Sequence, residues 1–397
     1  MIKYILLFFL SYSSKSLFAQ KVNKVFIDPD NARGGTISQY FNTFRFIPLE
    51  TTKESLFGKI DQLAVTQTHF IVLDQQTKSI LFFRKDGSFD FKIRPRQADH
   101  YFDYFTIDRR KSELLVQTAI HEISIYDLKG NFLKKVNLGK NINSLVWLQN
   151  GHIIYQLEQG APSENSPKVK YNIAYSGDYL KSARFALPYD PRFGLSELNQ
   201  YMNSLNKSED PENVFFSLPG DYNVYQLKDY THIIHYQFIF PLKYSLPNNF
   251  SADSTYAQKR AKYVYFNAAS KGKFESIENI FKPKENLLLF SLRNVGYLTN
   301  NWTYLYNLKT GLLLSLGKVT GDSLSSYLPF ASPQFGETMV VYKNHHLYSC
   351  IASSTLISIK EHKEKSHNFG PVLNRYFAHE NRRSNPVLME AKLKENL

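Results

Sequence analysis

One segment of the chain recurs. Ile80-Leu-Phe-Phe-Arg-Lys-Asp-Gly87-Ser-Phe-Asp-Phe-Lys-Ile93 overlays Ile123-Ser-Ile-Tyr-Asp-Leu-Lys-Gly130-Asn-Phe-Leu-Lys-Lys-Val136 without a gap, at an offset of 43 residues. A period of roughly 40 to 45 residues, with four strands in each unit, is that of propeller blades. Each copy reads as a strand, a tight turn whose glycine can take positive φ, and a strand that returns beside the first. Weaker copies lie at Asn172–Lys181 and Thr303–Leu314, and apolar strands precede the four hairpins at Phe70–Leu73, Glu113–Val116, His152–Tyr155 and Leu287–Phe290. Two further units, Asn223–Leu227 with His232–Tyr236 and Thr338–Tyr342 with His346–Ser349, bring the count to six.

The expected fold is therefore all-β, a six-bladed β-propeller of mostly four-stranded antiparallel blades. The composition agrees: 27 tyrosines and 31 phenylalanines sit with aliphatic residues in short runs broken by Gly, Asn, Asp and Pro, as strands joined by turns require. Six blades leave excess chain, assigned to loop insertions near 188–214 and 241–284. Helical spacing stands out only over Ser251–Ala269, where Ser251 can cap and Tyr256, Arg260 and Tyr263 fall four and three apart. An open ring would expose unpaired edges, so Phe44–Leu49 and Pro386–Leu393 are the expected partners for closure.

The N-terminus carries Lys3, an apolar run Tyr4–Leu10 and Ser16-Leu-Phe-Ala19 before Gln20. This pattern predicts a signal peptide over residues 1–19 and a single propeller domain over 20–397. The apolar run is about half of the roughly 20 residues that span a bilayer, so no transmembrane anchor is expected. No cysteine stands at the cleavage region to take a lipid. The mature chain is expected to be a soluble monomer, periplasmic or secreted. Its one cysteine, Cys350, cannot form an intramolecular disulfide and reads as a small packed residue. The formal charge of +13 falls by two with Lys3 and Lys15, but no run of five or six like charges exists, so nucleic acid is not an expected partner.

The sequence carries no local catalytic signature. Nucleophile elbows, dinucleotide and phosphate loops and Cys-x-x-Cys pairs are absent. His121-Glu122 and His379-Glu380 lack the second histidine of a zinc-protease helix. His232 and His235, three apart in a strand, point to opposite faces. Asp28-Pro-Asp30-Asn31 has the start of a calcium loop, but its twelfth position is Gln39. No cofactor and no metal is expected. Trp147 and Trp302 read as packing between blades.

The opening Phe46-Ile-Pro-Leu-Glu-Thr-Thr-Lys-Glu-Ser-Leu56, followed by Ile60-Asp-Gln-Leu63 and Phe70-Ile-Val-Leu-Asp74, resembles that of a six-bladed β-propeller family abundant in Bacteroidetes, itself similar to NHL-repeat propellers. The Asp86-Gly87 hairpin, Phe105-Thr-Ile-Asp108 with Leu114-Leu-Val116, and Asn385-Pro-Val-Leu388 share the likeness, which covers residues 44–138 and the last dozen. The resemblance implies export and a six-bladed ring, and no activity. Where that family has a glycine-rich loop after the first blade, this chain has Ile93-Arg-Pro-Arg-Gln-Ala-Asp-His-Tyr101, without glycine. Arg94, Arg96, Asp99, His100 and Tyr101 are the candidate ligand-binding residues, at the channel mouth; the competing reading is an ordinary polar connection between blades. The expected function is binding or scaffolding, with a glycan, peptide or envelope protein as partner. The alternative is a lyase or hydrolase whose active-site residues come from several blades at the central channel.

Overall fold

The computed structural model describes residues 22–96, 101–148, 150–163, 166–190, 205, 214–230, 232–266, 271–294, 301–331, 340–363 and 367–397. The signal-peptide segment, Asp99 and His100, and most of the insertion near 188–214 lie outside those residues.

An N-terminal segment supplies β1 (Val22–Phe26), β2 (Arg33–Thr36), the single turn α1 (Ile37–Tyr40) and β3 (Phe41–Pro48). Six sheets follow in a ring. Blade 1 is β4 (Gln62–Val65), β5 (His69–Asp74), β6 (Ser79–Arg84) and β7 (Phe89–Ile93); blade 2 is β8 (Tyr104–Asp108), β9 (Glu113–Ala119), β10 (Glu122–Asp127) and β11 (Phe132–Asn137). Blade 3 is β12 (Ile142–Trp147), β13 (Ile153–Ser163), β14 (Ser166–Ser176) and β15 (Arg184–Pro188). The recurring segments are thus β6–β7 and β10–β11, the outer hairpins of the first two blades.

The remaining three blades need the N-terminal segment. Blade 4 has only β16 (Phe215–Ser217), β17 (Asn223–Leu227) and β18 (Ile233–Ile239) of its own, and β1 lies parallel to β18 as its fourth strand. After the insertion with α2 (Arg260–Phe266), blade 5 runs β19 (Phe274–Lys284), β20 (Leu287–Asn294), β21 (Asn301–Asn307) and β22 (Leu313–Thr320), and β2 adds a fifth strand parallel to β22. Blade 6 is β23 (Val341–Lys343), β24 (His346–Ile351) and β25 (Val387–Leu393), with β3 outermost. Between β24 and β25 stand α3 (Ser353–His362) and α4 (Gly370–His379).

Closure follows the expected pairing: β25 runs antiparallel to β3, from Val387 opposite Pro48 to Leu393 opposite Phe41. Asn385 locks the seam. Its buried side chain donates to the carbonyls of Glu50 (2.8 Å) and Ser55 (2.9 Å) and accepts from the Phe57 amide (3.1 Å).

Polar residues near the inner edges latch neighbouring blades. The Gln62 amide spans from blade 1 to both the carbonyl (2.7 Å) and the N–H (3.1 Å) of Phe105. Gln117 donates to the Ile142 carbonyl (3.0 Å), Ser217 to that of Ile277 (2.7 Å), and Tyr342 to that of Pro283 (3.1 Å). A buried amide or hydroxyl is tolerated in such a place because it satisfies backbone groups that the sheets leave over.

The structure corrects several expectations. The second insertion ends earlier than 284, because 274–284 is β19, the inner strand of blade 5; its charges and Pro283 hide the apolar alternation. The helix expected over Ser251–Ala269 is a 3-10 turn at Ser254–Tyr256 and α2, and Asp253 rather than Ser251 caps the turn by accepting from Thr255 N–H. Its Arg260 is buried, donating to the carbonyls of Phe250 and Asp253. Helices α3 and α4 were not anticipated, although Leu373, Tyr376 and Phe377 form a buried face at helical spacing behind Gly370-Pro371. Blades 4 and 5 each carry a parallel outer strand from the N-terminal segment, within a ring of otherwise antiparallel blades. Trp147 is buried in the core shared by blades 2 and 3, and Cys350 is half-buried.

Candidate functional site

The Lys85–Ser88 turn of blade 1, β3 of blade 6 and α4 enclose a cleft of about 510 Å³. Each wall has a local cause. The Asp86-Gly87 turn brings blade 1 against β3 because Gly87 has a φ of +92°, and a Cβ there would meet the Pro48 carbonyl oxygen at 2.1 Å. Glycine is the residue that permits both the backbone angle and the approach. Helix α4 is held by Tyr376, whose hydroxyl donates to Ser353 Oγ (2.6 Å), which donates in turn to the Asn385 carbonyl (2.6 Å). The same asparagine that closes the ring thus positions the helix.

Four basic side chains, Arg45, Lys85, Arg375 and His379, line this cleft, with Asp86 and Glu380 as its acids. Arg45 makes a bidentate pair with Glu390, at 2.6 Å from Nε and 3.0 Å from the guanidinium terminus. Burial raises the Glu390 carboxyl, but the hydrogen bonds from Arg45 and Tyr348 outweigh it and leave Glu390 below its usual range. The pair fixes the fork of Arg45 at the cleft wall. Lys85 Nζ rests 3.8 Å from the centroid of the Phe70 ring and 5.8 Å from that of Tyr348. Burial pushes its ammonium down to about 8, with Glu390 pulling upward and Arg45 adding to the depression. Arg375 and His379 are exposed one turn apart on α4. The arrangement presents positive charge over an apolar floor that includes Phe46, Ile47 and the ring of Tyr376, which suits an anionic group on a partly apolar ligand.

The residues singled out from the sequence lie elsewhere. Arg94 and Arg96 are exposed; Arg96 stacks its guanidinium 4.4 Å above the ring of Phe132 on β11, an outer strand, and Arg94 lies within electrostatic reach of Glu54. Tyr101 is 43% exposed. No contact joins these three side chains, and Asp99 and His100 fall outside the described residues. Asp28 closes a turn by accepting from Asn31 (2.7 Å), and Asp30 is held by Lys243 and Tyr244. His232 pairs with Asp229 at 2.8 Å, while His235 bonds Asn223 at 2.7 Å and stacks on Tyr225. Among the described residues no group of three or more His, Cys, Asp or Glu is placed to hold a metal.

Sequence reasoning missed the cleft because its walls are distant in the chain and meet only when the ring closes. Its one accessible signal was the Asp86-Gly87 turn with Lys85 immediately before it.

Comparison with known proteins supports the fold and leaves the activity open. The chain is similar to a proposed exported protein of Bacteroides fragilis, with a TM-score of 0.68 at 14% identity over 94% of this chain and 100% of that one. A member of the DUF4221 family from Bacteroides vulgatus is similar at a TM-score of 0.49 and 11% identity, over 89% and 97% of the two chains. At 14% identity the likeness to the Bacteroides fragilis protein is one of fold. No curated protein sequence matches. No helix among the described residues is long and apolar enough to cross a membrane. The family model for a domain of unknown function, DUF4934, matches residues 25–392, nearly the whole propeller, and the chain belongs to that family.

Proposed function

We propose that the protein is an exported binding module that holds an acidic ligand in the cleft between blade 6, blade 1 and α4. The convergence of Arg45, Lys85, Arg375 and His379 on one cleft carries this reading. Export is supported by the basic, apolar and small-residue succession of Lys3 to Ala19. A ring suits the task because the cleft is built from two blades and a helix braced by one buried asparagine, so its basic groups are held without a ligand to order them.

The test is a thermal-shift screen of residues 20–397 with acidic glycans, acidic peptides, their neutral counterparts and divalent metals. A ligand that binds only the folded state raises the melting temperature. Acidic compounds are expected to raise it, and Arg375→Ala with His379→Ala is expected to remove the shift while the unliganded melting temperature stays unchanged. Stabilisation by neutral compounds that survives the double substitution refutes the reading. Arg94→Ala with Arg96→Ala tests the loop after blade 1 in the same screen; loss of the shift there instead would move the site to that loop.

A further inference from the structure

A second cleft, of about 370 Å³, lies between blades 1 and 2, and Thr68, His69 and Arg109 line it together with Ile71, Phe82 and Ile107. His69 Nε2 lies 3.0 Å from Asp90 Oδ2, and His69 Nδ1 lies 2.9 Å from Thr68 Oγ1. An ionised carboxylate only accepts, so in the neutral ring Nε2 carries the hydrogen. Nδ1 then presents its lone pair to the Thr68 hydroxyl, which donates to it. Other contacts hold this orientation. Arg84 pairs with Asp90, the rings of Phe82 and Phe91 meet the imidazole edge to face at 5.9 and 6.4 Å, and the His69 N–H donates to Thr66 Oγ1 at 2.8 Å. A hydroxyl, an imidazole and a carboxylate in series, beside a cleft with a cation and apolar walls, have the parts of a hydrolytic site.

We propose that Thr68 is the nucleophile and His69 the general base of an ester-hydrolysing site that takes short apolar acyl groups, with Asp90 as the positioning residue. As Thr68 Oγ bonds to the acyl carbon, its proton passes to His69 Nδ1 and the carbonyl electrons move onto oxygen, toward the Arg109 cation. Collapse of this adduct breaks the ester C–O bond, and the leaving alcohol takes the proton from Nδ1. Water then adds to the acyl-threonine, giving its proton to Nδ1, and the departing Thr68 oxygen recovers that proton. The sum is ester plus water to acid plus alcohol. The site is independent of the basic cleft and of any ligand bound there.

The experiment is incubation of residues 20–397 with p-nitrophenyl acetate, following nitrophenolate release and mapping the acetyl group by mass spectrometry. Wild type is expected to accumulate acetyl on Thr68; Thr68→Val abolishes acylation and Thr68→Ser retains it. His69→Gln is expected to lower kcat by about 100-fold or more. Asp90→Asn is expected to lower kcat with KM and melting temperature unchanged, which a purely structural role for Asp90 would not produce. Equal rates for wild type and Thr68→Val, or acetyl found on another residue, overturn the proposal.

Discussion

Blades 1 and 2 are each woven from consecutive strands, whereas blades 4, 5 and 6 all take an outer strand from residues 22–48. The first pair is local in the chain. Its strands are joined by tight turns, its glycines 87 and 130 both have positive φ, and its sheets are latched by the side chains of Gln62 and Gln75, the latter donating to the Asp103 carbonyl at 2.9 Å. The second group depends on segments more than 200 residues apart. In it the N-terminal segment passes along blade 4, then blade 5, then blade 6, and only in the last does it meet an antiparallel partner, β25. Contacts of such sequence separation must overcome a larger closure entropy before they stabilise anything. The two halves have the same architecture, and the difference between them is the loop that each must close.

The contrast is broken most severely at the seam. Removal of residues 386–397 deletes β25, the partner of both β24 and β3, and is expected to abolish soluble, cooperatively melting protein. Removal of residues 22–36, which takes away β1 and β2, is expected to leave a cooperative transition at a lower temperature, since of β1 only Val25 is buried. Circular dichroism melts of the two truncations distinguish them; an unchanged melting temperature in the shorter C-terminal truncation would show that the ring does not need this strand.

A single buried amide on each side sharpens the comparison. Asn385→Ala strands the Ser55 carbonyl and the Phe57 amide and takes one of two donors from the Glu50 carbonyl at the seam, and is expected to cost toward the upper end of about 2–6 kcal/mol, judged from roughly 1–3 kcal/mol for each buried group left unsatisfied. Gln62→Ala strands one carbonyl and one amide of Phe105 between local blades and is expected to cost less, toward the lower end of about 2–6 kcal/mol, since no third bond is lost. Urea unfolding of both variants gives the order, and a larger loss at Gln62 would contradict the picture of the seam as the critical joint.

The smallest effect is electrostatic and lies on the same seam. Burial lowers the Lys85 ammonium from 10.5 to about 8. Between those values the unfolded chain holds a proton that the folded chain has lost, so this group's contribution to stability rises with pH across the window and is unfavourable below it. Lys85→Met is therefore expected to raise the melting temperature modestly below about pH 8, with the advantage fading toward pH 10.5. A constant difference at all pH values would show that the ammonium is not desolvated in the folded protein.

Much of the ring is readable from residue pattern alone. The 43-residue offset, the hairpins around Gly87 and Gly130, and the pairing of the chain's two ends all have short-range signatures, because alternation records which face of a strand is buried and glycine records where the backbone must turn. The parallel outer strands were not readable. Arg33-Gly-Gly-Thr36 has no apolar alternation, since a strand on the rim of a blade buries little and is held by backbone hydrogen bonds that any residue can make. Inner strand β19 was hidden for a related reason: its Glu275 and Glu278 face Arg293, so charges stand where apolar residues were sought. The clefts go further beyond pattern. Arg45, Lys85 and Arg375 come from three distant stretches, and Thr68, His69 and Asp90 from two different strands and a turn. Periodicity specifies the strands because burial acts residue by residue, whereas which side chains share a cleft is decided by ring closure, a long-range event that leaves no local trace in the chain.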